Sequence, residues 1–192
     1  MFALSIALDI GWWSCHLKVV TLLVVSKDIL ALMKLESKAY NTLPDILNLI
    51  QEGQDLTNLP VQPLYSALRV AAPAQVAACL DKFSPRQRQI FLDLDLWEKD
   101  ALDLESFEFW VASYSLLEKD ELREEFVKGS EFHLFLKARF NVWTFDQEDP
   151  EYPEHDNYFL SDDYLLLFEY DESFEYASEV QALIKTLYSE WG

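Results

Sequence analysis

The residues best equipped for chemistry lie late in the chain, in the run Asp146-Gln147-Glu148-Asp149-Pro150-Glu151-Tyr152-Pro153-Glu154-His155-Asp156. Carboxylates at this density are hard oxygen ligands, so binding of calcium or magnesium is the first chemistry they suggest. Asp146, Glu148, Asp149, Glu154 and Asp156 would be the ligands, with Glu151 and His155 as additional donors. The spacing is not that of an EF-hand, and no glycine is present to make its sharp turn. Acid/base hydrolysis needs two carboxylates at a defined separation, and a proline-punctuated loop defines none. The same region has another use. Tyr152, Tyr158, Phe159 and Tyr164, supported by Phe145, Phe168 and Tyr170, interleave aromatic area with negative charge, the composition of a surface that binds a basic protein. A regular stripe of carboxylates would instead mimic the charge of DNA.

A second pair of carboxylates, Asp93 and Asp95, sits in Leu92-Asp93-Leu94-Asp95-Leu96. At helical spacing the two point roughly 160° apart and cannot share a substrate. Asp95 precedes Lys99 by four residues, the favourable order for a solvent-exposed helical ion pair. No GxSxG, HExxH or CxxC sequence occurs, and the four glycines are too scattered to cradle a phosphate or a dinucleotide. Two cysteines, Cys15 and Cys79, make neither a disulfide framework nor a four-thiolate zinc site, and free thiols fit a reducing cytoplasm. The expectation is a non-enzymatic protein.

Thirty-four acidic against fifteen basic residues give a formal net charge of −19, which repels nucleic acid and anionic lipid and favours cations or a basic partner. With 51% apolar residues, the 192-residue chain has ample material for a core. The charge is unevenly placed. Asp9, Lys18, Lys27 and Asp28 cancel within residues 1 to 32, so the whole −19 falls on the remainder. Val19 to Val25 is too short an apolar run to cross a bilayer, and no basic region precedes the first apolar stretch as in a signal peptide. Two readings stand for this segment: an element docked on the domain, or an extension ahead of a true start at Met33.

These side chains must be positioned by helices. Thr42, Pro44 and Gly53 bracket a helix whose apolar face is Leu43, Ile46, Leu47 and Ile50. Further helices start near Pro63 and Pro73, the latter carrying Cys79 as a small core residue. Ser84, Pro85 and Gln87 form a capping box and open the helix expected to organise the fold, with Ile90, Leu94 and Trp97 on one enclosed line. Asp103 caps a helix with Phe107, Trp110, Val111, Tyr114 and Leu117 inward. Asp120 to Lys128 ends at Gly129 as a C′ residue, and Ser130 caps a helix through Phe140. Tyr158 to Leu160 and Tyr164 to Tyr170 predict a hairpin turning at Ser161-Asp162-Asp163. Val180, Leu183, Ile184, Leu187 and Trp191 predict a terminal amphipathic helix.

Ala72-Pro73-Ala74-Gln75-Val76-Ala77-Ala78-Cys79-Leu80, followed by Ser84-Pro85-Arg86-Gln87-Arg88 and Ile90-Phe91-Leu92-Asp93-Leu94, resembles the helical repeats of the cytoplasmic N-terminal domain of the MgtE magnesium transporter. The resemblance spans residues 61 to 102. It implies a right-handed stack of short helices and, in the transporter, acidic residues that respond to magnesium. Residues 84 to 170 also resemble a bacterial family with an LDLDLW-type core and a DPEYPEHDNYF-type loop, which implies no activity. The expected fold is mainly α: stacked short helices like the MgtE N-terminal domain over 33 to 140, then residues 141 to 192 as acidic loop, small β-hairpin and helix. The expected function is a cytoplasmic scaffold that binds a basic protein through the acidic aromatic region, without membrane insertion. The alternatives are divalent-cation sensing by residues 146 to 156, and DNA-charge mimicry.

Overall fold

Helix starts obey the local capping chemistry. In a computed structural model that describes residues 40–144 and 152–188, Thr42 accepts from the Asp45 amide to open α1 (Leu43–Gln51), which closes at Gly53 with φ 72, a conformation that glycine adopts without strain. α2 (Val61–Leu68) begins two residues before Pro63, directly after Pro60, and α3 (Pro73–Leu80) buries Cys79. Ser84 and Gln87 cap each other at the head of α4 (Pro85–Asp95), and the Gln87 side-chain amide donates onward to the Leu56 and Leu59 carbonyls. One side chain thus caps a helix and pins the preceding loop to it.

The helix expected to organise the fold is shorter than its pattern suggests, and its enclosed line is different. α4 stops at Asp95, Leu96 is its C-cap, and Trp97–Glu98 (β1) turns back to pair with Ala101–Leu102 (β2), with Lys99 at φ 57 in the turn. Leu94 and Trp97 are 47% and 41% exposed, whereas Phe91, Leu92 and Leu96 are buried. Trp97 is outward because it lies past the early stop, whereas Leu94 is outward because the buried face of α4 is the line Gln87, Arg88, Phe91 and Leu92.

The organising element is α5 (Leu104–Ser115). Asp103 caps it through the Glu105 and Ser106 amides, and Phe107, Trp110, Val111 and Tyr114 lie fully in the core as the periodicity requires. It packs against α3 on one side and α8 (Ala177–Tyr188) on another. α6 (Asp120–Val127) and α7 (Ser130–Arg139) add an aromatic layer: Phe107 stacks on Phe135 at 4.5 Å and Tyr114 on Phe126 at 4.1 Å. Gly129 is not a left-handed C′ residue. Its backbone is extended, it is the N-cap of α7, and Ser130 is the first helical residue rather than the cap. A Cβ at Gly129 would stand 3.1 Å from the Phe126 carbonyl oxygen, so the two helices join closely.

α7 ends at Arg139, and Phe140 starts a strand where helix was expected. β3 (Phe140–Thr144), β4 (Tyr158–Leu160) and β5 (Leu166–Tyr170) form an antiparallel sheet in the order β3-β5-β4, so the expected hairpin has a third strand. Register puts Phe140, Val142, Phe159, Leu166, Phe168 and Tyr170 on one face of this sheet. Val180, Leu183 and Ile184 of α8 join the same core as α5. Eight helices and two small sheets are described, and among the described residues no helix is long and apolar enough to cross a membrane.

Candidate functional site

Asp95 and Asp93 part company. Asp93 is exposed and accepts from the Gln89 side chain at 2.9 Å, while the Asp95 side chain is only 5% exposed. Asp95 does not reach for Lys99. Its Oδ1 accepts from the Tyr65 hydroxyl at 2.7 Å and from Arg69 Nε at 2.5 Å, and its Oδ2 accepts from Trp110 Nε1 at 2.7 Å. Arg69 also donates to Ser106 Oγ and lies 4.9 Å over the Phe109 ring. Ser106 in turn donates to the capping carboxylate of Asp103. Both oxygens of Asp95 are therefore committed to protein donors from α2 and α5. This is a clasp that holds three helices together.

Arg88 makes a second fastening. Its Nε and Nη2 grip both oxygens of Glu125 at 3.0 and 2.5 Å, and its Nη1 donates to the Phe83 carbonyl, so α4 is tied to α6 by a bidentate pair.

Among the described residues, a groove of about 960 Å³ on one face of the C-terminal sheet is open to a ligand. Its floor is Phe140 and Val142 of β3 with Leu166 and Phe168 of β5. α7 contributes Leu136, flanked by His133 and Lys137, and α8 contributes Ile184 and Leu187. The β4–β5 turn supplies Asp162 and Asp163. Both are exposed, and Asp163 is fixed within the turn: it accepts from Ser161 Oγ at 2.5 Å and from the Leu165 amide at 3.0 Å, and these bonds, Ser161 first, hold its carboxyl below the usual range. Tyr164 takes φ 61 at the tip of the same turn and is 69% exposed. Phe140, Phe168 and Ile184 at the base are buried, whereas Val142 is 46% exposed.

The other face of the sheet buries Leu167 and carries a polar cluster around Glu169. Glu169 accepts from Trp143 Nε1 at 3.1 Å, from Asn141 at 3.4 Å and from His155 Nε2 at 3.0 Å; these donors, Trp143 foremost, lower its carboxyl from the ordinary value. His155 Nδ1 accepts the Asn157 amide, so both ring nitrogens are engaged with the sheet.

The residues singled out from sequence separate accordingly. Tyr152 is half exposed with its ring 6.1 Å from that of Tyr158, which is half-buried, and Tyr164 is exposed. Phe159 differs from these in being buried, stacked on Phe168 at 5.0 Å and edge-on to Phe140, so its ring packs the sheet core. Glu154 and Asp156 are exposed. Asp146, Glu148 and Asp149 lie outside the described residues, as do Phe145, Glu151, Trp191 and the segment 1 to 32. Among the described residues, no three His, Cys, Asp or Glu side chains are grouped to hold a metal ion. Leu136, Val142, Leu187, His133 and Lys137 were missed as a site. The alternation of Phe140, Val142 and Thr144 was the available signal for their strand, and nothing local tied it to α7 and α8.

A model of a family of unknown function (DUF6178) matches residues 35–192. No curated protein and no solved structure matches the chain.

Proposed function

The chain belongs to the DUF6178 family of unknown function, and we propose that it is a non-enzymatic cytoplasmic scaffold that binds a basic protein partner through the groove of its C-terminal sheet. One observation carries the reading: an open apolar groove whose rim includes Asp162 and Asp163, in a stretch from Phe140 to Ile184 that contains thirteen acidic residues and no Lys or Arg. Apolar floor supplies affinity once water leaves it, and the surrounding negative field speeds the encounter with a cationic protein. In this reading the stack of short helices, expected from the MgtE resemblance, is the frame that presents the groove. The Asp95 and Arg88 fastenings keep that frame rigid.

The test is photo-crosslinking in cells from a reactive side chain placed at Val142, followed by purification of the captured protein and measurement of its association. The reading requires an on-rate that falls with added salt and a complex lost in Val142→Asp. A captured protein whose binding is indifferent to both changes would refute it.

A further inference from the structure

The rim of the groove is not uniformly acidic. The β4–β5 turn presents Asp162 and Asp163, while α7 presents Lys137 and, one helical turn earlier, His133. Lys137 is exposed, and Asp162 faces Lys185 at a loose 3.9 Å, with the two side chains about half exposed. Between these polar edges run the partly exposed Leu136, Val142 and Leu187. The site is thus an apolar strip with opposite charges on its two edges.

We infer that the occupant is an amphipathic helix of the partner, with its apolar stripe on Leu136, Val142 and Leu187, cationic side chains toward Asp162 and Asp163, and an acidic side chain toward Lys137. The inference rests on the groove being the partner site and adds the conformation and charge pattern of what binds. Charge on both flanks of an apolar strip favours a helix, which can carry an apolar stripe between two charged flanks where a strand has only two faces. A helix about 10 Å across and rising about 1.5 Å per residue occupies roughly 120 Å³ per residue, so a groove of about 960 Å³ takes about eight residues, roughly two turns. Two turns present three or four anchors at i, i+3, i+4 and i+7, enough to cover the strip. The mixed rim also acts in discrimination. A helix cationic on both flanks sets a like charge against Lys137, and one acidic on both flanks sets two against the turn.

The experiment uses three fluorescent helical peptides of about fourteen residues with the same leucine stripe, one with Lys along one flank and Glu along the other, one with Lys on both and one with Glu on both. Anisotropy is measured with the full chain. The mixed peptide is expected to bind roughly three- to tenfold tighter than the all-Lys peptide, with the all-Glu peptide weakest, as fits a few exposed charge pairs. Lys137→Glu, an exposed substitution that leaves the core alone, should reverse the order of the mixed and all-Lys peptides. Circular dichroism should show the mixed peptide gaining helix on binding. If the all-Lys peptide binds wild type at least as well as the mixed one, the charge pattern is wrong while the basic-partner reading stands. If bound peptide is extended, or if sedimentation shows the groove filled by a second copy of the chain, the helix is wrong. If no peptide saturates and Val142→Asp changes nothing, both readings fall.

Discussion

Replacing Asp95 with Asn tests the clasp with almost no change in volume. The carboxylate accepts three hydrogen bonds, from Tyr65, Arg69 and Trp110, at 2.7, 2.5 and 2.7 Å, and its side chain is 5% exposed. An amide keeps one acceptor oxygen and turns an NH2 toward a group that is itself a donor, so at least one bond becomes a donor facing a donor. A hydrogen bond to a charged group contributes about 1.5–3 kcal/mol, and breaking a fully buried ion pair costs about 3–5 kcal/mol. Arg69 is 34% exposed and can recover some hydration, which lowers the cost. A loss of about 2–4 kcal/mol is expected, or roughly 5–15 °C in Tm for a chain of this size. Guanidinium unfolding followed by tryptophan fluorescence measures it, since Trp110 reports the site directly. Asp93→Asn, four-tenths of a turn away in sequence pattern but exposed, is the matched control and should cost under about 0.5 kcal/mol. Equal effects from the two substitutions would mean that Asp95 does not face inward.

Leu94→Ala should cost under about 1 kcal/mol, whereas Phe91→Ala, three residues earlier and fully buried, should cost about 3–5 kcal/mol; denaturant midpoints decide. Asp103→Ala removes the cap of α5 and should cost about 0.5–2 kcal/mol, seen as a lower urea midpoint. The Tyr65 hydroxyl is pushed up to about 12 by burial and by the Asp95 carboxylate it donates to. A raised folded value means that this contribution is whole below pH 10 and is lost as pH rises through about 12, so Tyr65→Phe should flatten the fall of stability across that window. Burial likewise pushes the Cys79 thiol to about 12; in a Cys15→Ser background Cys79 should react with a thiol reagent only as fast as the protein opens, and prompt native-state labelling would contradict its buried position.

What could be read from sequence was what a few neighbouring residues decide. The caps at Thr42, Ser84 and Asp103 each depend on a side chain meeting an amide two or three residues on, and all three stand where the pattern puts them. The inward face of α5 was equally legible, because five large apolar residues at helical spacing leave one solution. Asp95 was not. On a helical wheel it is a charge at the edge of an apolar face, and only the arrival of Arg69 and Trp110 from other helices makes its burial tolerable. β3 was hidden because Phe140 is both the C-cap of α7 and the first residue of the strand, with no glycine or proline between. The groove draws on α7, α8, a sheet face and a turn, so no local window contains it.

The packing of α8 on α5 and α6 bears on how the chain is made. The residues from Leu104 to Val127 leave the ribosome well before those from Ala177 to Tyr188 that cover them. Until α8 arrives, Phe107, Trp110 and Phe126 have part of their apolar surface without a lid, and closing so long a loop is entropically slow. The nascent chain therefore spends the synthesis of a third of its length as a sticky, half-covered aromatic layer. Its heavy negative charge, about half of which arrives in that same interval, is suited to keep such intermediates apart.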